Sequence, residues 1–238
     1  MLLALLLVGW QNHAQVRKNF AVVELFTSEG CSTCPPAEKL LSEIHADAEK
    51  NHRPVYCLEY HVDYWNRNGW KDPYSSFKFT LRQKNYTSVL NEESLYTPMM
   101  VVNGQVSFTG SDAARSRKTI DSALTAPETI QLKIKIDSTL RDTLFVSYQA
   151  SKHDKNYFIT FALTESKLIS KVAKGENAGR TLAHDHVVRT LVSGEANGSS
   201  PGMKIPLKNF VPGKNCELIA FIQHKQSMKI LAATSVAF

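Results

Sequence analysis

Two cysteines separated by two residues are the most reactive feature of this sequence. Cys31 and Cys34 enclose Ser32-Thr33 and directly follow a short apolar run. Two thiols at this spacing can close a small disulfide ring, exchange it with another disulfide, or bind a soft metal ion. In an exchange reaction Cys31 would attack and Cys34 would resolve the mixed disulfide. The pair predicts a redox-active dithiol, and a metal site or an inert structural disulfide are the alternatives.

Two prolines follow the second cysteine and limit where the next helix can begin. A helix N-terminus lowers the pKa of a nearby thiol and so favours the reactive thiolate. Proline is tolerated only in the first helical turn, so Pro35-Pro36 must lie there or at a kink. The helix is therefore predicted to begin near Cys34 rather than Cys31, which weakens the effect of the helix dipole on Cys31.

A second motif supports the redox interpretation. Tyr96-Thr97-Pro98 immediately precedes an apolar strand candidate at residues 99–102. Proline cannot donate to a central ladder, so at a strand start it marks a special bend. A cis peptide between Thr97 and Pro98 would bring this backbone beside the cysteines, and a trans proline ending a loop is the alternative. Tyr96, Thr97, Pro98 and Trp65 are the predicted substrate-binding residues.

Three polar residues are candidates for tuning the dithiol. His61 and Asp63 follow the second predicted strand, whose carboxyl end should adjoin Cys31. His61 would stabilise the thiolate or transfer a proton, and Asp63 would orient His61. Glu24, on the first strand, would accept the proton of Cys34. A packed, hydrogen-bonded structural role is the alternative for each.

The remaining candidates receive structural interpretations. Cys57 and Cys216 lie in predicted core strands and are expected to be buried free thiols. His184 and His186 are predicted on one strand face, next to a polar segment at residues 175–180. Two imidazoles without a third ligand do not make a metal site, so no metal ligand is assigned. The polar segment is interpreted as a structural loop that would alternatively cover the dithiol or bind a partner.

Hydrophobic patterning predicts a βαβ unit around the cysteines. Apolar runs at residues 20–27 and 54–60 flank a helical pattern at 37–50, so the two strands should be parallel. A helix starting at Asp72-Pro73 should follow, with Phe77, Leu81 and Tyr86 facing inward. Asn103-Gly104 between apolar runs predicts a hairpin, and Ser111-Asp112 opens a last helix. Residues 15–126 therefore form an α/β domain with a mixed sheet.

The second half of the chain has a different pattern. Residues 129–136 alternate apolar and polar side chains and are the first of six or seven strand candidates, which are separated by turn residues. This pattern is typical of antiparallel sheets. Residues 127–238 are therefore predicted to form an all-β, sandwich-like C-terminal domain.

Composition excludes several classes of protein. The chain has 238 residues, 43% hydrophobic and 21% charged, which argues against wholesale disorder and against a polytopic membrane protein. Four cysteines are too few for a disulfide-dense scaffold. The formal net charge of +6 comes from scattered basic residues, which indicates a solvated surface and no nucleic-acid partner.

The N-terminus has the pattern of a targeting segment. Residues 1–10 form an apolar run that is too short to span a bilayer, which takes about 20 residues. A run of this length fits the apolar region of a secretory signal, with cleavage after Ala14. No Lys or Arg precedes the run, as in a truncated signal, and a buried strand or a short anchor is the alternative. We predict a signal peptide over residues 1–14, a periplasmic or secreted location, and no stable membrane insertion after its removal.

Taken together, these segments resemble DUF1223, a family of bacterial secreted, thioredoxin-like proteins catalogued as a domain of unknown function. The likeness covers most of residues 20–238 and is carried by residues 23–36, 61–66, 96–98, 101–104 and 175–180, together with His184. The resemblance implies a thioredoxin-like fold for the first domain, the cysteine pair at the active site, and Pro98 in the cis form. It implies no substrate.

These observations predict a secreted or periplasmic thiol–disulfide oxidoreductase. Its redox group would be the Cys31–Cys34 disulfide, with no separate cofactor, and its partners would be protein or peptide thiols and disulfides. One alternative is a metallochaperone that binds Cu(I) through Cys31, Cys34 and His61. Another is a non-catalytic scaffold with a structural disulfide.

Overall fold

A computed structural model describes residues 19–126, 129–207 and 210–238. The predicted signal peptide at residues 1–14 and the start of the predicted second domain at Pro127 lie outside the described residues. Among the helices that are described, none is long and apolar enough to cross a membrane.

The βαβ unit around the cysteines is present. Strand β1 (Ala21–Thr27) and strand β2 (Val55–His61) are parallel, with Thr27 opposite His61 at their carboxyl ends. Helix α1 (Pro35–Lys50) connects them. Every residue of β1 is buried, as expected for a strand covered on both faces. This arrangement places the cysteine loop and the end of β2 at one edge of the sheet.

The next helix differs from the prediction in its start and in its buried face. A short 3₁₀ helix (Tyr64–Asn68) precedes helix α2 (Phe77–Val89), whose N-cap is Ser76 rather than Asp72. Of the three residues predicted to face inward, Tyr86 is buried, but Phe77 is 62% exposed and Leu81 is 42% exposed. The buried face is mainly polar and contains Phe79, Thr80, Arg82, Gln83, Tyr86 and Thr87. Arg82 and Gln83 can be buried because each has a hydrogen-bond partner, so the apolar residues of α2 do not identify its inward face.

The predicted hairpin and last helix of the first half are confirmed. Strands β3 (Met99–Val102) and β4 (Val106–Thr109) pair antiparallel around Asn103 and Gly104, both of which have positive φ angles. Asn-Gly favours this conformation, which explains why the local signal was reliable. Helix α3 (Ala113–Thr125) follows, capped by Asp112, whose side chain accepts a hydrogen bond from the Arg115 amide.

Gly104 should be more sensitive to substitution than Gly69, although both have positive φ angles of +65° and +88°. A Cβ at Gly104 would lie 1.9 Å from the Met228 carbonyl oxygen, whereas nothing lies within 4 Å at Gly69. We expect Gly104→Ala to lower the free energy of unfolding by about 2–5 kcal/mol, from backbone strain and overlap together. Gly69→Ala should cost only about 1–2 kcal/mol. Urea unfolding of both variants measures the difference, and equal losses would contradict the close approach of the Met228 backbone.

The described residues of the second half, 129–207 and 210–238, form nine strands. Four of them extend the sheet of the first half, which becomes eight-stranded in the order β13-β12-β7-β10-β2-β1-β3-β4. Three others form a separate sheet in the order β11-β6-β5, and β8 pairs with β9. Their bounds are β5 Leu132–Leu140, β6 Thr143–Ala150, β7 Tyr157–Glu165, β8 Leu168–Lys171, β9 Thr181–His184, β10 Val187–Glu195, β11 Ser199–Pro206, β12 Cys216–His224 and β13 Ile230–Ala237.

The two halves therefore do not form separate sheets, in contrast to the predicted division at residues 126 and 127. Strand β10 pairs in parallel with β2, and the Glu59 amide donates to the His186 carbonyl over 2.9 Å. This pairing covers the edge of β2 that the first half alone would leave open. Phe26 and Tyr60 share one apolar core with Phe221 of β12. Strand patterns in the sequence indicated the strands but not their partners.

The three-stranded sheet packs against the far end of the large sheet. Leu144 and Val146 of β6 share an apolar core with Leu163 of β7 and Leu218 of β12. The pair β8–β9 stands apart from this packing and carries residues 175–180 between its strands. Those residues reach back to the cysteines.

Candidate functional site

The two close cysteines form a disulfide at the start of α1. The Cα atoms of Cys31 and Cys34 lie 5.5 Å apart. Cys34 is the N-cap residue, and Pro35 and Pro36 occupy the first turn, which confirms the expected placement of the prolines. Cys31 is 1% exposed and Cys34 is fully buried, whereas Ser32 and Thr33 between them are exposed. The disulfide thus lies immediately below the surface.

The proline motif lies beside the disulfide. The Thr97–Pro98 peptide is cis, as the resemblance implied. The Thr97 carbonyl oxygen is 3.9 Å from Cys31 Sγ. The indole nitrogen of Trp65 donates to the Thr97 hydroxyl over 2.8 Å. The structure therefore brings together Cys31, Thr97 and Trp65 from three separate segments.

Tyr96 contributes to this site mainly through its backbone. Its carbonyl oxygen accepts a hydrogen bond of 2.7 Å from the Gln83 side chain, which ties the proline segment to α2. Burial, followed by the nearby Glu92 carboxylate, raises the pKa of the Tyr96 hydroxyl to about 12. The hydroxyl therefore stays neutral over the usual pH range.

Residues 175–180, which we call the covering loop, contact the disulfide loop directly. The Glu176 carboxylate accepts hydrogen bonds from the Ser32 amide and hydroxyl, at 2.9 and 2.7 Å. These bonds lower the pKa of Glu176. The Asn177 side chain donates to the Glu29 and Cys31 carbonyls, each at 2.9 Å. The segment, interpreted from the sequence as a structural loop with covering the dithiol or binding a partner as alternatives, thus lies against the disulfide loop.

The described hydrogen bonds of Glu24 are with Arg82 and Tyr86 and not with the cysteines. Its buried carboxylate forms a two-pronged ion pair with Arg82, at 2.5 and 3.0 Å, and also accepts from the Tyr86 hydroxyl. Gln223 of β12 contacts both Arg82 and Tyr86. The predicted proton transfer from Cys34 to Glu24 is therefore replaced by a structural role, because α2 presents a guanidinium to this carboxylate.

His61 also points away from the disulfide. It is fully buried, with Nδ1 2.7 Å from an Asp72 carboxylate oxygen and Nε2 2.8 Å from a Glu59 oxygen. Asp63, which was predicted to orient His61, instead accepts from the Thr80 hydroxyl at the start of α2. Asp72 takes the orienting role. Among the described hydrogen bonds, none joins His61 to a cysteine.

His61 belongs to a buried acid–histidine cluster that the sequence analysis missed. The cluster lies behind the disulfide loop and consists of Glu29, Glu38, Glu59, His61, Asp72 and His184. One signal was available, since Glu59 and His61 are two apart on an otherwise apolar strand and so share a face. The other members lie too far away in the chain for spacing to connect them.

The pKa values of several side chains in this cluster differ strongly from their ordinary values. Burial disfavours the imidazolium of His61, but the Asp72 and Glu59 carboxylates outweigh burial and raise its pKa to about 10. The pKa of His184 is raised for the same reason, mainly through Glu29 and Glu38. Burial raises the pKa of Glu38, with Glu59 adding to the effect. The cluster therefore contains carboxylates and imidazoles in one buried region of the protein.

The predicted pairing of His184 with His186 on one strand face was wrong. His184 ends β9 inside the cluster, whereas His186 lies in the following turn with a φ of 60°. The His186 ring packs on the His45 ring at 3.9 Å between centroids. Burial, followed by His45, lowers the pKa of His186 to about 4. The positive φ breaks the strand alternation on which the prediction relied.

Cys57 and Cys216 are both free and buried, as predicted. Burial raises the pKa of the Cys57 thiol, with Glu217 adding to the effect. Cys57 lies on the α1 side of the sheet, and Cys216 lies in the core shared with the three-stranded sheet. Neither thiol is placed to exchange with the Cys31–Cys34 disulfide.

Comparison with known proteins gives a family and a structural relative. The family model described as protein of unknown function, DUF1223, matches residues 22–223. The crystal structure of protein AGR_C_4864 from Agrobacterium tumefaciens is similar, at 25% identity and a TM-score of 0.67, over 91% of this chain and 93% of that chain. A domain of the outer membrane lipoprotein Omp28 from Porphyromonas gingivalis matches at 13% identity and a TM-score of 0.25, over 46% of this chain and 87% of that domain. No curated protein matches this chain.

Proposed function

This chain belongs to the DUF1223 family of proteins of unknown function, and we propose that it is a thiol–disulfide oxidoreductase. The observation that carries the proposal is the position of the disulfide, at the first turn of α1 and 3.9 Å from the Thr97 carbonyl. Cys34 is the N-cap of α1, so the helix N-terminus is available to stabilise the Cys34 thiolate when the disulfide opens. We also propose a thioredoxin-like architecture for residues 15–126, based on the order β1-α1-β2, the hairpin β3–β4 and α3.

The reaction is an exchange of disulfides. A substrate thiolate attacks Cys31 Sγ, the Cys31–Cys34 bond breaks, and Cys34 leaves as a thiolate. A second substrate thiolate then attacks the substrate sulfur of the mixed disulfide and releases Cys31. Two electrons pass to the protein, and the substrate gains one disulfide. The reverse sequence begins with the Cys31 thiolate attacking a substrate disulfide, and Cys34 then resolves the mixed disulfide.

Substrate access requires the covering loop to move, since Cys31 is 1% exposed. The hydrogen bonds of Glu176 to Ser32 are exposed and therefore the easiest of the loop contacts to release. Trp65 and Thr97 would then line the approach to Cys31. Protein or peptide thiols and disulfides are the proposed partners, the periplasm or the extracellular space is the proposed location, and no separate cofactor is involved.

One observation favours a second candidate function. Both sulfurs are buried, and the covering loop is hydrogen-bonded over them, as expected of a structural disulfide. In that case the chain would be a scaffold, and the disulfide would hold the start of α1 against the covering loop. The two candidates differ in the reduction potential of the pair.

A redox titration of the folded protein distinguishes them. Cys57→Ser and Cys216→Ser would first remove the two free thiols. The fraction of reduced Cys31 and Cys34 would then be read from the mass added by thiol alkylation across glutathione and dithiothreitol buffers. We expect a reversible transition between about −270 and −120 mV, the range of working dithiols in proteins of this chemistry. A pair that stays oxidised well below about −300 mV would establish the scaffold instead.

A further inference from the structure

The acid–histidine cluster joins segments from both halves of the chain. Glu59 and His61 come from β2, Glu38 from the first turns of α1, and His184 from the end of β9. Glu38 is 3% exposed, His184 is 1% exposed, and Glu59 and His61 are fully buried. None of the proposed exchange steps uses these four side chains. Such a costly burial of polar groups calls for a separate explanation.

Each imidazole is held on its outer side by a carboxylate. His61 Nδ1 lies 2.7 Å from Asp72, and His184 Nε2 lies 3.2 Å from Glu29. The remaining nitrogens, His61 Nε2 and His184 Nδ1, both face Glu59 Oε1, at 2.8 and 3.2 Å. A carboxylate behind each histidine is the arrangement that orients imidazoles toward a bound metal ion.

The nitrogen and oxygen atoms that face one another in this cluster are spaced like the ligands of a metal ion. The ligand atoms of Glu59, His61 and His184 all lie within 4.8 Å of one another. Glu38 Oε2 is a fourth, at 3.4 Å from His184 Nδ1. Ligands at about 2.0–2.1 Å around a tetrahedral ion stand about 3.3 Å apart. The separations of His61 Nε2 and His184 Nδ1 from Glu59 Oε1, 2.8 and 3.2 Å, and of Glu38 Oε2 from His184 Nδ1, 3.4 Å, are close to this value.

Two buried atoms of the proposed ligand residues lack hydrogen-bond partners among the described residues, which is the second indication of a ligand. Glu59 Oε2 and His184 Nδ1 are buried and make no hydrogen bond with the described residues. An unsatisfied buried polar atom is costly and calls for a missing partner. In addition, four carboxylates face two imidazoles in this cluster, so it has an excess of negative charge.

We propose that Glu38, Glu59, His61 and His184 bind one divalent transition-metal ion, of which Zn²⁺ fits best. Two imidazoles and two carboxylates suit a borderline-soft ion that accepts tetrahedral geometry. Four protein ligands in a buried site leave no open position, so the ion is structural. It ties α1 and β2 to β9, and so holds the covering loop over the disulfide. This proposal does not depend on the redox activity of Cys31 and Cys34.

Zinc retention tests the site. The full chain, with its disulfide intact, is stripped with a chelator, loaded with Zn²⁺ alone and desalted, and zinc per chain is measured by mass spectrometry. We expect about one zinc per chain. The double variant Cys31→Ser/Cys34→Ser should also retain it, because the thiols are not ligands. His186→Asn is the matched control, since His186 is a buried histidine outside the cluster, and this variant should retain zinc too.

Variants of the cluster should weaken binding in a graded way. His184→Gln removes an inner ligand and should lower zinc affinity by more than 100-fold, while Asp72→Asn, an outer partner, should lower it by about 10–100-fold. If His184→Gln does not fold, X-ray absorption of the zinc-loaded unmodified chain decides the question. We expect a shell of nitrogen and oxygen with imidazole scattering. Sulfur in that shell, failure of the unmodified chain to retain zinc, or unchanged affinity in folded His184→Gln would overturn the proposal.

Discussion

Cys31→Ser should abolish exchange with a model disulfide, while the variant remains folded. Cys31 is the sulfur next to the Thr97 carbonyl and Trp65, and Cys34 is fully buried as the N-cap of α1. Without Cys31 no mixed disulfide can form at the sulfur that lies beside the proposed substrate-binding residues. Turnover of a fluorescent dithiol–disulfide substrate should fall to the uncatalysed rate. Circular dichroism and the unfolding midpoint report whether the fold survives.

Cys34→Ser separates the two sulfur roles. This variant retains the attacking thiol but cannot resolve the intermediate, so it should accumulate a covalent adduct with the substrate on Cys31. Intact-protein mass would show the adduct, and dithiothreitol would remove it. Cys57→Ser is the matched control with unchanged turnover, because Cys57 is buried against α1. If Cys31→Ser kept full activity, the assignment as an oxidoreductase of this pair would fail.

Arg82→Met should destabilise the fold much more than the loss of an exposed ion pair. Arg82 and Glu24 are 7% and 0% exposed, and removing the guanidinium leaves a buried carboxylate unpaired. Breaking a buried pair in this way costs about 3–5 kcal/mol. The loss should appear in urea unfolding as a lower midpoint.

Arg53→Met provides the comparison for Arg82→Met. Arg53 pairs with Asp47 and Asp121, but these carboxylates are 58% and 65% exposed. Its replacement should cost less than about 1 kcal/mol, because solvent screens exposed pairs. The double variant Glu24→Leu/Arg82→Leu should recover much of the loss, since an apolar pair of similar volume replaces buried charges at little net cost. Equal effects of Arg82→Met and Arg53→Met would refute the importance of burial.

Local patterns predicted those parts of the fold whose causes are local. The hairpin at Asn103-Gly104 follows from two residues that accept positive φ angles, and the βαβ unit follows from apolar runs flanking a helical period. Phe77 and Leu81 of helix α2 were predicted to face inward but are exposed, because the buried side of the helix carries Arg82 and Gln83. Their partners, Glu24 and Gln223, lie on distant strands. Helix propensity and hydrophobic periodicity depend on neighbouring residues, so they contain no information about which distant side chains pair.

In the candidate site, too, local motifs were predictable from the sequence and long-range contacts were not. Cys31, Cys34, Thr97 and Trp65 belong to short motifs, and the structure brings them together as expected. The acid–histidine cluster depends on contacts such as His184 with Glu29, 155 positions apart in the chain. That contact depends on β10, which follows His184 in the chain and pairs with the edge of β2. A prediction of two separate domains could not contain it.

The covering loop has a consequence for the order in which the chain matures. Glu176 is 144 positions after Ser32, so the cysteines are synthesised long before the segment that shields them. Chains emerge N-terminus first, and their early segments begin to fold before the rest is made. The nascent protein therefore passes through a stage in which both thiols are open to any oxidant or isomerase nearby. Once β10 has joined the large sheet and β9 has paired with β8, the covering loop closes over the cysteines, and the oxidation state of the pair is the one reached in that earlier stage.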